Sequence, residues 1–207
     1  MRSFLTPRWT RLVTHAAALI PLAVLSYQFF SGQLDPNPAQ ALEQRSGRVA
    51  ISMLTATLAV SPLAILLDQP VLRLARRPLG LYTFFYVVLH VLVLTGLDYG
   101  FDLTLLIRGY LGKPFIWFGL ATGLILTVLA LTSFDWWKRI LGAWWKRSHL
   151  LIYPAAILAL THFFLAVKGN LFTLSGNLVR PLVYAGLILF FLALRLFFSR
   201  SSITPSR

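Results

Sequence analysis

Six apolar runs limit what this chain can become. They cover Leu12 to Phe30, Val49 to Leu67, Leu79 to Leu97, Pro114 to Thr132, His149 to Val167 and Pro181 to Phe198. Each is about 18 to 20 residues long, the length of helix that crosses the hydrocarbon of a bilayer. Inside hydrocarbon, backbone N–H and C=O groups must bond within their own segment, so such runs fold as helices. A soluble domain carries about a quarter charged residues; here the share is 12%. The expectation is an all-α, polytopic membrane protein, a single transmembrane domain over residues 1–207. No stretch is long enough for a separate soluble catalytic domain, so a reaction with a soluble partner takes place at a membrane face.

The joins between the runs set the orientation. The net charge of +13 would suggest nucleic acid in a soluble protein. Here the cations sit in short loops, where the positive-inside rule and lipid headgroups account for them, and no nucleic-acid partner is expected. Of the 19 Lys and Arg residues, 13 lie on the side of the termini and 6 on the other, so both termini are expected in the cytoplasm. Trp136, Trp137, Trp144 and Trp145 fit an interfacial belt. Leu103 to Leu111 reads as a segment lying flat on the interface. The first run exceeds the apolar core of a signal peptide and reads as an uncleaved anchor.

Missing residue types narrow the chemistry. The chain has no cysteine, which excludes thiolate-bound haem, covalent c-type haem, cysteine-ligated iron–sulfur clusters and disulfides. Haem held by histidine stays available. All six carboxylates (Asp35, Glu43, Asp68, Asp98, Asp102, Asp135) read as loop residues. Proton- and cation-coupled carriers need ionisable groups within the bundle, so the pattern argues against a transporter and against a carboxylate metal site.

Histidines carry the positive signal. Imidazole in hydrocarbon is costly unless something holds it. In the expected topology the third and fifth runs both travel outward. His90 lies eleven residues after Leu79 and His162 thirteen after His149, which places both at similar depth in the outer half. A porphyrin between these helices could take one imidazole on each face, giving a six-coordinate, electron-transferring iron. His149 lies about 20 Å nearer the cytoplasm by helix rise. Three roles are open to it: ligand of a second, inner haem, neighbour of a flavin or quinone, or interfacial residue among basic side chains. Thirteen residues turn an ideal helix by about 220° beyond whole turns, so His149 and His162 need not share a face; Pro154 between them can alter the winding. His15, one turn into the first run, reads as a hydrogen-bonding partner for a neighbouring helix. Arg48, Arg76 and Arg77 stand at helix ends, where guanidinium groups can hold haem propionates or another anionic cofactor, or simply orient the chain.

These residues resemble the MsrQ family, also called YedZ. The likeness covers nearly the whole chain. It rests on Ser46-Gly47-Arg48, on Leu79-Gly80-Leu81 with His90 nine residues on, on Gly112-Lys113-Pro114 and on Leu131-Thr132-Ser133. The most specific stretch is Trp145, His149, Tyr153, His162 and Val167-Lys168, with Pro181 to Gly186 adding to it. The resemblance implies a six-helix bundle of ferric-reductase-like type, related to NADPH oxidases and STEAP reductases, in the bacterial inner (cytoplasmic) membrane. Those relatives place histidine pairs on the third and fifth helices. Both fifth-helix positions are matched here, by His149 and His162, and the outer third-helix position by His90. The inner third-helix position falls near Arg76 and Arg77, so an inner haem needs an unusual second ligand, for which His15 is at a suitable depth. The family also implies FMN, which could occupy the inner region instead.

The implied task is electron delivery. Electrons from the quinone pool, or from a cytosolic flavin reductase, would pass through one or two haem b groups to a periplasmic molybdopterin-dependent subunit of MsrP type. That subunit would reduce methionine sulfoxide in oxidised periplasmic proteins, so the repair chemistry itself is expected on the partner. The alternatives are a b561-like or ferric-reductase-like transmembrane cytochrome b with another acceptor, and a membrane protein without redox chemistry.

Overall fold

The computed structural model describes residues 6–34, 36–167, 169–170, 175–176 and 178–201. Residues 1–5 of the basic head, Asp35, Lys168, residues 171–174, Asn177 and the tail beyond Ser201 lie outside this set. Nine α-helices make up nearly all of the described chain: α1 (Pro7–Phe30), α2 (Pro38–Leu66), α3 (Arg76–Leu92), α4 (Leu103–Tyr110), α5 (Pro114–Leu131), α6 (Asp135–Leu141), α7 (Ala143–Ser148), α8 (Ile152–Ala166) and α9 (Val179–Ser201). Short 3₁₀ turns (Pro70–Ala75 and His149–Leu151) lead into α3 and α8, and a π-helical turn (Val93–Asp98) continues α3. Gly169–Asn170 and Ser175–Gly176 form a two-residue antiparallel pair between α8 and α9.

Six continuous segments are long and apolar enough to cross a membrane: Pro7–Phe30, Pro38–Leu66, Pro70–Asp98, Pro114–Leu131, Ala143–Ala166 and Val179–Phe198. They correspond one to one with the apolar runs. Their outward faces carry exposed Leu, Val, Phe and Ile, such as Leu124 and Leu189, as expected where lipid rather than water is the surroundings.

The second segment starts earlier than its apolar run implies. Asn37 caps the helix by accepting from the Gln40 N–H, and Pro38 supplies the first turn, where its missing N–H costs nothing. Helix therefore covers 38–48, which hydropathy reads as loop. Glu43 consequently stands on a helix and is half-buried, correcting its reading as a loop residue. The basic stretch 133–148 is likewise not a loop but α6 and α7, hinged at Gly142, whose φ of +49° suits glycine.

A core of Ile51, Leu54, Leu58, Leu126, Leu129, Ile152, Ala155, Ala156, Leu160 and Ile188 joins α2, α5, α8 and α9. Ala155 and Ala156 are fully buried, so α8 packs closely near its N-terminal end; small residues let helix backbones approach where no hydrophobic drive separates helix from lipid. Tyr86 of α3 is fully buried and donates to the Ala18 carbonyl of α1 at 2.6 Å, fastening the first span to the third.

Candidate functional site

His90 and His162 meet. They lie near the C-terminal ends of α3 and α8, with ring centres 6.3 Å apart and planes at 82°. His90 Nδ1 is 2.9 Å from the Glu43 carbonyl oxygen on α2, and His162 Nδ1 is 2.8 Å from the Phe115 carbonyl oxygen on α5. A carbonyl can only accept, so each Nδ1 carries the proton and each Nε2 keeps its lone pair. This is the tautomer that metal-ligating histidines adopt, with the far nitrogen tied to a carbonyl. Metal–nitrogen bonds of roughly 2.0 Å, with the ring radii added, put two imidazoles on opposite sides of one metal about 6 Å apart centre to centre. The observed separation fits that geometry.

Glycines make the arrangement possible. A Cβ built on Gly47 would lie 3.1 Å from His90 Nδ1, and one built on Gly119 would lie 2.7 Å from His162 Nδ1. Nearby, Ser52 donates to the Arg48 carbonyl at 2.8 Å. Its oxygen is therefore the acceptor for the Tyr184 hydroxyl at 2.6 Å, which links α9 to α2. Arg48 is half-buried beside this link, with Arg45 and Arg180 adding positive charge around it.

His149 belongs to the opposite end of the bundle. Its Nδ1 is 3.0 Å from the Trp145 carbonyl one turn back, and its ring packs on Trp145 with centres 4.2 Å apart. Its Nε2 is buried with no hydrogen-bond partner among the described residues, and so is the Tyr153 hydroxyl. Arg195 of α9 lies over the Tyr153 ring at 4.8 Å, and Arg76 is a charged neighbour of both His149 and Arg195. Arg73, Arg76 and Arg195 line one cleft of about 360 Å³ with Ser61. Two orphaned polar atoms with Arg76 and Arg195 as charged neighbours are suited to a polar, anionic group.

The winding between His149 and His162 is not that of an ideal helix. His149 begins a 3₁₀ turn, and Pro154 stands in the first turn of α8, where it removes no helical bond. Three residues at 3₁₀ winding add about 60° to the ideal rotation, which narrows the angular mismatch without closing it.

The remaining sequence-derived residues separate. Arg77 pairs with Asp135 at 3.5 Å on an exposed surface, whereas Arg76 is half-buried and turned toward the His149 region. His15 is exposed on α1 and contacts Tyr82 of α3, Nδ1 to hydroxyl 3.1 Å, as its reading as an interhelical hydrogen-bonding residue implies. Trp145 does more than sit in a belt: besides stacking on His149 it donates to the Thr132 carbonyl at 2.8 Å, closing the end of α5. Sequence reasoning missed Gly47, Gly119, Tyr184 and Arg195 as parts of these sites. For the glycines the available signal was position, each lying near the start of a span that runs antiparallel to a histidine-bearing one.

Paired histidines within a six-helix apolar bundle define a membrane protein of ferric-reductase-like type. The family described as ferric reductase like transmembrane component matches residues 46–160, which hold His90, His149, Gly47 and Gly119, while His162 lies two residues past the matched stretch. A protein of Xanthomonas oryzae pv. oryzae, named protein-methionine-sulfoxide reductase heme-binding subunit MsrQ, is 39% identical over 184 residues, covering 86% of this chain and 81% of that protein. Proteins of the same name match from Xanthomonas campestris pv. campestris (37% identity; 89% and 84% covered) and from Cronobacter sakazakii (40%; 77% and 80% covered). The chain belongs to the MsrQ family.

Proposed function

We propose that this chain is a haem b electron-transfer subunit of the bacterial inner membrane, serving a periplasmic methionine-sulfoxide reductase. The observation that carries the reading is the His90–His162 pair, each Nδ1 tied to a backbone carbonyl, with ring centres 6.3 Å apart. The relatives' name, a heme-binding subunit, supports it. When bound between these residues, haem supplies one-electron transfer. The chain's own groups hold both imidazoles in one tautomer, and the surrounding helices keep the site in an apolar environment. The repair chemistry belongs to the partner, a molybdopterin-dependent subunit of MsrP type.

All 207 residues act as one transmembrane domain in this reading, with both termini cytoplasmic. His90 and His162 then lie toward the periplasm, and His149 with Arg73, Arg76 and Arg195 toward the cytoplasm, where a quinol or a cytosolic flavin reductase delivers electrons. The unpartnered His149 Nε2 and Tyr153 hydroxyl support a reading in which the inner region takes a second redox group, a haem or FMN, with Arg76 and Arg195 available to its propionate or phosphate. Arg48 is the corresponding guanidinium at the outer site in this reading, while the exposed ion pair of Arg77 and the Tyr82 contact of His15 support structural roles for both.

The test is a reduced-minus-oxidised spectrum of the purified protein, with haem and flavin quantified per chain. A six-coordinate b-type spectrum lost in both His90→Ala and His162→Ala is the expected result. A protein without haem, or one whose spectrum survives both substitutions, refutes the reading.

A further inference from the structure

We propose that Gly47 and Gly119 are positioning residues: paired notches that open one backbone carbonyl to each axial histidine and thereby set the reduction potential of the haem. The inference rests on the haem reading of His90 and His162.

A helical side chain leans toward the N-terminus and covers the turn before its own Cα. A residue at position 47 therefore shields the carbonyl of residue 43, and one at 119 shields that of residue 115. Both positions are glycine, and these are the two carbonyls that His90 and His162 reach, at 2.9 and 2.8 Å. The same device occurs on two different helices, α2 and α5, with the same four-residue offset and the same ring nitrogen. Close approach, rather than backbone freedom, is the reason for glycine: both sit inside regular helix, where glycine costs up to about 1 kcal/mol relative to alanine.

The two notches differ in depth. A Cβ on Gly119 would meet His162 Nδ1 at 2.7 Å and Cε1 at 2.9 Å, too close for any real Cβ, so the ring would have to leave. A Cβ on Gly47 would meet His90 Nδ1 at 3.1 Å, which a shift of a few tenths of an ångström relieves. Gly123, one turn further along α5, would place its Cβ 4.0 Å from Val87, an ordinary contact. An N–H donated to a carbonyl makes the opposite ring nitrogen a stronger donor to metal, which favours the ferric state. Weakening that bond raises the potential.

The experiment compares Gly47→Ala, Gly119→Ala and Gly123→Ala with wild type as purified holoprotein in nanodiscs. Monodispersity is checked first, then haem content, the ferric low-spin g values and the midpoint potential are read. Gly119→Ala is expected to lose the six-coordinate signal or to show the largest upward shift in potential. Gly47→Ala, the milder change, is expected to keep haem and shift the potential in the same direction with altered g values. Gly123→Ala is expected to match wild type. Wild-type g values and potential in both Gly47→Ala and Gly119→Ala overturn the proposal, as does equal damage in Gly123→Ala, which would reduce the glycines to helix packing. His90→Ala and His162→Ala separate the two levels. If they keep the wild-type haem, the haem reading falls and takes the notches with it; if they lose it while the glycine variants are unchanged, only the notches fall.

Discussion

His90 on α3 and His162 on α8 stand edge to face, 82° between their planes, while each is held by a carbonyl from a different third helix. Four helices thus fix two rings, and neither ring can rotate without losing its hydrogen bond. If a haem iron takes both imidazoles, their perpendicular planes would leave the two iron orbitals that overlap them nearly equal in energy. The ferric haem is therefore expected to give a strongly anisotropic low-spin EPR signal. A rhombic signal typical of parallel imidazole planes counts against this geometry.

His149 stands about 20 Å from His162 along the helix, with a buried Nε2 that nothing described here satisfies. Replacing it by alanine is expected to retain most of the outer haem signal but to slow its reduction by quinol or reduced flavin, and to slow delivery to an added periplasmic sulfoxide reductase in the same proportion. Stopped-flow reduction in nanodiscs is the measurement. Equal rates, at equal haem and flavin content, place His149 off the electron path.

Arg76 and Arg77 are adjacent in sequence and opposite in setting. Arg77 makes an exposed ion pair with Asp135, a kind of contact worth about 0–1 kcal/mol. Arg76 faces the cleft that Arg195 shares. Arg77→Ala is expected to change cofactor retention by less than about fivefold. Arg76→Ala, which removes a charged hydrogen-bond donor, is expected to weaken it by about tenfold or more. Retention after graded detergent washing distinguishes them, and identical behaviour of the two variants contradicts the assignment.

Tyr86 ties α3 to α1 through a 2.6 Å bond to the Ala18 carbonyl, wholly out of contact with the surroundings. Tyr86→Phe is expected to destabilise the protein by about 1 kcal/mol while leaving the haem spectrum intact. Unfolding in mixed micelles measures this, and a spectral change without a stability change would mean the tyrosine reaches the cofactor site.

Topology has its own check. Reporter fusions after Asn37, Asp102 and Asn170 should read as external, given the 13 to 6 distribution of Lys and Arg. Cytoplasmic signals at any two of these positions would rule out the six-span arrangement.

The sequence alone determined the class, the number of spans and the similar depth of His90 and His162, which the structure brings together. Those properties depend on hydropathy and on residue count along a regular helix: 18 or so apolar residues span hydrocarbon whatever their neighbours, and depth follows from a fixed rise per residue. Helix ends were less legible. Hydropathy falls where a helix leaves the apolar core, so residues 38–48 looked like loop although Asn37 and Pro38 start a helix there. What surrounds each histidine was not legible at all. That Glu43 and Phe115 lend their carbonyls, that Gly47 and Gly119 make room, and that Arg76 rather than Arg77 faces the inner cleft depend on the rotation of each helix against the next. Rotation is set by side-chain packing between helices remote in sequence, and only the tertiary structure brings those side chains together.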